Sequence, residues 1–423
     1  MKLASVIRYC LLGILIYLLG AGYSLADTEQ LKEVEPEDTN GILVTFRDDV
    51  TTRQAKQIID KADGTVEETL NPAGEETLVV SLETQKAQAA AIRQLERNPE
   101  VESVQPNYVY TMDQAAATRD PLSSKQWSLD YMDVPEAWDL IDRVKPEYAR
   151  KEEDKVIVAT LDTGIYYRHP DLKKNIDVAN CISVAGMIPP YEQYQKPLYT
   201  HGTGTGGVIA ATSNNGLGMA GVAAGNNNDL ISLMGIDVFH KEGYHSQASA
   251  STVDIIKGLE YACEKGAKVI NMCLGHSVGD SDLYGVAHDD VALEAAVNDA
   301  VYNKDVVITC SAGNKGDSRV WYPSDFEAVI SVINTKKYTD AWNKDCKSAG
   351  SSYGSAKDIS APGKDIYTTR RDGTWGFGNG TSMSAPAVAG VAALVRYVNP
   401  QLSEAQVKEI LYSTATDLYK PGY

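Results

Sequence analysis

The sequence predicts an α/β protein: a mainly parallel sheet covered by helices on both faces, preceded by a smaller module. Two observations carry this expectation. Beyond residue 121, apolar runs rich in β-branched residues alternate with stretches of helical period, the pattern of a sheet buried on both sides. Between residues 41 and 112 the patterns read βαββαβ, the order of a ferredoxin-like module. At 423 residues the chain has room for both.

Composition narrows the function classes. With 43% hydrophobic and 23% charged residues, the chain is neither a long disordered segment nor a fibrous repeat. Lys plus Arg number 39 against 57 Asp plus Glu, a formal net charge of −18. Such a surface repels phosphate backbones, so nucleic acid is not an expected partner.

Lys2 and Arg8 precede an apolar run from Tyr9 to Ala21, and Ser24-Leu25-Ala26 offers small residues at the positions a signal peptidase reads. Residues 1–26 are therefore expected to be a secretory signal peptide cleaved after Ala26. An uncleaved surface anchor is the alternative reading of the same run. No later run reaches about 18 consecutive apolar residues, so no stable membrane span is expected in the mature chain. Removal of the signal takes Cys10 and leaves Cys181, Cys263, Cys273, Cys310 and Cys346. That odd number leaves at least one thiol outside any intrachain pairing, and no zinc spacing is present.

Residues 27–40 are acidic and without apolar period, which reads as a linker. In the 41–112 module, Ile42–Phe46 is a strand. Ala55, Ile58, Ile59 and Ala62 form a helix face stopped by Gly64. Thr65–Leu70 and Thr77–Leu82 are strands around Asn71-Pro72, Gln85–Arg97 is a helix and Val101–Tyr110 the last strand. Period is lost from Thr111 to Asp120, with 113–120 read as a processing linker, and Asp120-Pro121 marks the boundary of a second domain, 121–423. There the β-rich runs are Val156–Leu161, Leu230–Val238, Val269–Leu274, Val306–Thr309 and Val329–Ile333. Ile255, Ile256, Leu259, Ala262 and Cys263 share one helical face, and Ser403 with Gln406 forms a capping box. The mixed-charge stretch Lys145–Lys155 reads as a solvated loop.

In a parallel sheet, functional groups collect beyond the strand C-termini. The first core strand ends in Leu161-Asp162-Thr163-Gly164. His201 opens H-G-T-G-T-G-G-V-I-A-A, whose glycines would each cost about 1 kcal/mol inside a helix unless a close contact compensates. Gly202, Gly204 and Gly207 also satisfy G-x-G-x-x-G, but no strand precedes them, so a dinucleotide site is disfavoured. Gly380-Thr381-Ser382-Met383-Ser384-Ala385-Pro386 puts a hydroxyl on a glycine turn at a helix N-terminus, where amide groups stabilise developing negative charge. Asp162, His201 and Ser382 together supply what serine nucleophilic catalysis needs: a base for the hydroxyl and a carboxylate to fix that base. Ser311-Ala312-Gly313-Asn314 adds a side-chain amide able to donate to an oxyanion.

These motifs (D-T-G followed by H-P-D-L at 169–172, H-G-T, S-A-G-N and G-T-S-M-S-A-P) make the chain resemble the secreted subtilisin family of serine proteases. The resemblance covers nearly everything after residue 26. It implies a three-layer α/β/α sandwich with a mainly parallel seven-stranded sheet. It implies Ser382 as nucleophile, His201 as base then acid, Asp162 as orienter and Asn314 in the oxyanion hole. Cys273, Leu274 and Gly275 match the segment against which the substrate lies extended, and Gly313 the wall of the pocket for the residue before the scissile bond. The 41–112 module resembles the family's propeptide, an intramolecular chaperone and inhibitor removed by self-cleavage between about Thr111 and Asp120. A structural calcium ion is implied at Gln126, Asp171 and Asn214 or Asn215, with hard oxygen ligands; a Gly/Asn turn without an ion is the alternative. A monomer is expected.

The sequence also departs from the family. Gly204, Thr205 and Cys273 stand where it usually has His, Val and Ser, and Thr160 replaces an aliphatic residue. Gly204 and Thr205 are expected to loosen the helix carrying His201. Cys273 and Cys310 are expected to flank the groove, exposing it to thiol reagents. Asn379-Gly380-Thr381 is a sequon that overlaps the nucleophile turn and reads as coincidence. His240, His245, His276 and His288 have no metal spacing. A catalytically silent binding protein and a nucleotide-dependent oxidoreductase are the competing readings.

Overall fold

The computed structural model describes residues 41–47, 49–70, 76–107, 120–146, 149–184, 199–239, 248–277, 290–337 and 347–416. The expected signal peptide, acidic linker and residues 113–119 of the processing linker lie outside them, as do Cys346, His240, His245 and His288. Two compact units divide the chain, Ser24–Gln114 and one containing Ala115–Tyr423. No helix among the described residues is long and apolar enough to cross a membrane.

The small unit runs β1 (Gly41–Phe46), α1 (Thr52–Lys61), β2 (Thr65–Leu70), β3 (Thr77–Ser81), α2 (Gln85–Leu95) and β4 (Val101–Pro106). Its antiparallel sheet has the order β2-β3-β1-β4, the expected βαββαβ arrangement. Helix α1 begins at a capping box, Thr51 with Gln54, and buries Ala55, Ile58 and Ile59 against Ile42, Val44, Leu78 and Val80. Gly64 stops it where a Cβ would come within 2.6 Å of the Val80 side chain.

The large unit opens with α3 (Trp127–Tyr131) and α4 (Val134–Val144), then β5 (Val156–Asp162), β6 (Ile182–Ser183), α5 (His201–Ala210), β7 (Ile231–Asp237), α6 (Thr252–Glu264) and β8 (Val269–Met272). It continues with β9 (His276–Ser277), α7 (Val291–Asn298), β10 (Val307–Ser311), β11 (Trp321–Tyr322), β12 (Ile330–Thr335) and β13 (Ile359–Pro362). The hairpin β14 (Ile366–Thr369) and β15 (Trp375–Gly378) leads into α8 (Thr381–Val398) and α9 (Glu404–Thr414). Seven strands form one sheet in the order β13-β12-β10-β8-β5-β7-β6, and every pairing is parallel. Val158, Leu233 and Val269 point to one face, under α4, α5, α8 and α9. Ala159, Met234 and Ile270, one residue on, point to the other, under α6 and α7. That alternation produces the three layers. Because all strands run the same way, Asp162, Cys273 and Asn314 come from strand C-terminal ends at one edge of the sheet.

The stretch Lys145–Lys155 is not simply solvated. The Arg150 side chain is 3% exposed and donates to Asp229 at 2.8 and 3.0 Å, to Asp142, and to the Lys145 carbonyl at 2.7 Å. Three acceptors around one guanidinium repay its desolvation and tie α4 to the loop before β7.

Candidate active site

Asp162 is the last residue of β5 and is 1% exposed. A carboxylate buried that deeply needs several donors, and it has them. His201 Nδ1 lies 2.8 Å from Oδ1 and 2.9 Å from Oδ2, the Thr163 N–H donates to Oδ1 at 2.7 Å, and the Thr205 hydroxyl donates to Oδ2 at 3.1 Å. The Asp162 charge raises the imidazole above its ordinary range, outweighing the opposing effect of burial. His201 remains partly open to solvent, with 38% of its side chain exposed.

Ser382 is half-buried in the first turn of α8, where amide groups lack intrahelical acceptors. This helix packs against α5, which carries His201. Asn314 follows β10, and its side-chain oxygen accepts the Thr381 N–H at 2.9 Å and the Thr381 hydroxyl at 3.1 Å. Its amide group is thereby turned so that Nδ2 is the remaining donor. Gly380, at φ +121°, is a true requirement: any Cβ would be strained and 3.1–3.4 Å from the Asn314 amide. Cys273, Leu274, Gly275, Gly313, Asn314 and Ser382 line one groove of about 510 Å³. Asn379 is exposed, and its oxygen accepts the Asp365 N–H at 2.8 Å.

The Subtilase family model matches residues 153–423, well over half of the chain. The chain belongs to the subtilase family. A Fervidolysin N-terminal prodomain model matches residues 39–107. Thermitase from Thermoactinomyces vulgaris is 32% identical over 304 residues, covering 72% of this chain and 93% of thermitase. Subtilisin DY from Bacillus licheniformis is 35% identical over 289 residues, covering 67% of this chain and 92% of the relative. Among solved structures, a protease of Pseudoalteromonas arctica superposes with a TM-score of 0.52 at 26% identity, over 72% of this chain and 94% of that one. This subtilase is accordingly a serine endopeptidase with an N-terminal prodomain.

The glycines after His201 explain the rest of the local fold. A Cβ at Gly202 would come within 2.4 Å of the Gly164 carbonyl, and one at Gly207 within 2.2 Å of the Thr369 hydroxyl. The close approach lets Thr368 and Thr369 of β14 donate to the Gly204 and Thr203 carbonyls at 2.6 and 2.7 Å. Thr368 and Thr369 thus brace helix α5, and Thr205 ties it to Asp162, where Gly204 and Thr205 were expected to loosen it. Its glycines lie inside a helix, which removes the nucleotide-loop reading of Gly202, Gly204 and Gly207. Sequence reasoning missed Thr205 as a donor to Asp162. It also missed a buried polar line across the sheet, in which Asn271 joins Thr160 at 3.2 Å to Thr309 at 3.3 Å.

The cysteine expectation is corrected in part. Cys181, Cys263, Cys273 and Cys310 are all free thiols. Cys310 is fully buried in the core on the α6/α7 face and does not line the groove. Cys273 does line it but is 6% exposed, its sulfur 3.4 Å from the Ser382 carbonyl oxygen. Burial pushes both thiols up, which disfavours the nucleophilic thiolate.

The expected calcium ligands are also partly corrected. Gln126 is turned to the backbone of Ala220, accepting its N–H at 2.9 Å and donating to its carbonyl at 2.7 Å. The Asn214 amide donates to the Asn226 carbonyl at 3.1 Å. Asn215 is the residue that meets Asp171, at 2.8 Å. A second carboxylate, Asp120, accepts the Asn214 and Asn215 N–H groups at 2.8 and 3.0 Å. Its only signal in the sequence was the Asp-Pro boundary. Burial pushes Asp171 up to about 6, and Asp120 adds to the effect. Among the described residues no group of three or more His, Cys, Asp and Glu side chains could hold a metal. What fits a hard cation is narrower: two buried carboxylates, Asp120 and Asp171, that reach the 214–219 loop from separate segments through neutral donors.

Proposed function

We propose that this subtilase cleaves peptide bonds through Asp162, His201 and Ser382, and that residues 41–112 are a propeptide which it removes itself. The observation that supports the reading most is the doubly bonded contact of His201 Nδ1 with a buried Asp162. It fixes the tautomer with the proton on Nδ1 and leaves Nε2 as the base. Ser382 Oγ attacks the scissile carbonyl carbon while His201 takes its proton. The Asn314 Nδ2–H and the Ser382 N–H donate to the oxyanion. His201 then passes the proton to the departing amine, leaving an acyl ester on Ser382. Water, deprotonated by His201, releases the second product and frees the hydroxyl. Asp162 stabilises the imidazolium in both halves.

The same reading makes 1–26 a signal peptide, places the mature enzyme outside the cell, and makes 121–423 its catalytic domain, monomeric, with protein or peptide substrates. The propeptide inhibits the enzyme until it is cut between about residues 111 and 120. Asp120 and Asp171 would hold calcium, which when bound would neutralise two buried carboxylates and pin the 212–219 loop. The test is the intact mass of wild type beside Ser382→Ala, both expressed with the propeptide. Loss of the propeptide from the wild type alone is the expected result. Equal cutting of both would assign maturation to another protease, and no cutting of either would favour a silent binder.

A further inference from the structure

Trp321 lines the groove beside Gly313 and Asn314, and the proposed chemistry does not use it. Its strand β11 pairs with His276-Ser277, directly after the segment Cys273-Leu274-Gly275. A Cβ on Gly275 would come within 2.7 Å of the Tyr322 carbonyl, so the two segments close on one another. The indole lies against the opposite wall: a Cβ on Gly313 would be 2.5, 2.7 and 2.8 Å from its Cε2, Cδ2 and Nε1 atoms. The ring thus spans from the 273–275 side to the residue just before Asn314. It is fixed there, not draped over the surface. The Trp321 N–H donates to Asp325 at 3.0 Å, the Asp325 N–H returns a bond to the Trp321 carbonyl at 2.8 Å, and Asp325 is ion-paired with Lys357, both about 5% exposed or less. The ring is half-buried, and its N–H is buried with no acceptor among the described residues. Buried polar groups are usually satisfied, so this placement is not explained by a hydrogen bond. Contact with Gly313 is what the ring gains.

We infer that Trp321 floors the pocket for the residue before the scissile bond and shortens it, so that the enzyme takes small side chains, Gly, Ala or Ser, at that position. This rests on the reading of Ser382 as nucleophile and Asn314 as oxyanion donor. A side chain projecting from the α-carbon next to the acyl carbon, beside Asn314, must run along Gly313, and there it meets an indole instead of open space. Aromatic or long aliphatic side chains would have to displace a ring held at its backbone.

The test compares kcat/KM of the mature enzyme on peptides that differ only before the scissile bond, as Ala, Ser, Leu or Phe. Fluorophosphonate labelling of Ser382 runs in parallel. Wild type should favour Ala and Ser over Phe by at least about tenfold, and Trp321→Gly should raise the Phe rate by at least about tenfold with the Ala rate changed less than about threefold. Trp321→Leu, which keeps an apolar side chain in place, should fall between them. Wild-type cleavage after Phe as fast as after Ala would overturn the inference. So would an unchanged Phe-to-Ala ratio in both variants. Failure to cut any peptide together with failure to label Ser382 would bring down the serine-protease reading itself, and this inference with it.

Discussion

Asp162 and Asp171 are nine residues apart, both buried, and both ringed by donors, yet they are equipped for different work. Asp162 has, besides the Thr163 and Thr205 donors, an imidazole that can accept a proton and become its counter-ion. Asp171 receives the Met219 N–H at 2.9 Å, the Trp375 indole N–H at 2.8 Å and the Asn215 amide, none of which can take a charge. A second carboxylate, Asp120, pushes it further up rather than down. Neutral donors soften the cost of burying a charge without cancelling it. The first carboxylate is therefore coupled to a base, whereas the second is held by neutral donors alone.

Breaking the proposed catalytic site should have the larger consequences. Ser382→Ala should lower kcat by about 10⁶-fold. Asp162→Asn should lower it by about 10⁴-fold. Because Asp162 holds His201 above its ordinary range, and only the neutral imidazole is a base, the acid limb of the pH–rate profile should also move to lower pH in this variant. Asn314→Ala should cost about 10²- to 10³-fold in kcat with little change in KM. At the second site the effects are on stability. With the cation removed, Asp171 has a folded value near 6 against an ordinary 3.8. Its contribution is then present at low pH and is lost as pH rises through about 6. Chelation should therefore cost nothing near pH 4 and lower Tm by roughly 5–10 °C at pH 8, as followed by calorimetry, while Asp171→Asn should abolish that calcium response. Thr205→Val should be mildest, a fewfold loss in kcat/KM, since two other donors keep Asp162 bonded.

The contrast also shows what could be read from residues alone. Asp162, His201, Ser382 and Asn314 were legible because each sits in a local motif with its own backbone logic, a strand end or a helix start. The long apolar strands were legible by their continuous runs. The short strand β6, with two residues, and β13, half-exposed at Ile359-Ser360, carry no period long enough to see. Asp120 was missed because its partners Asn214 and Asn215 are 94 and 95 residues away. Thr205 was read as a departure from the family rather than as a donor, since nothing local announces that it faces Asp162. Its loosening effect was misjudged for the same reason: the hairpin that braces the glycines comes more than 160 residues later. Cys310 was expected to flank the groove, but it is fully buried in the core between β10 and the α6/α7 layer.

The most direct test of the central claim is the mass and position of the adduct formed when the mature enzyme meets a fluorophosphonate, measured on wild type, Asp162→Asn and Ser382→Ala at one pH. One adduct per chain on Ser382 is expected in the wild type, with sharply slowed labelling in Asp162→Asn and none in Ser382→Ala. Labelling at another residue, or at the same rate without the Asp162 carboxylate, would contradict it.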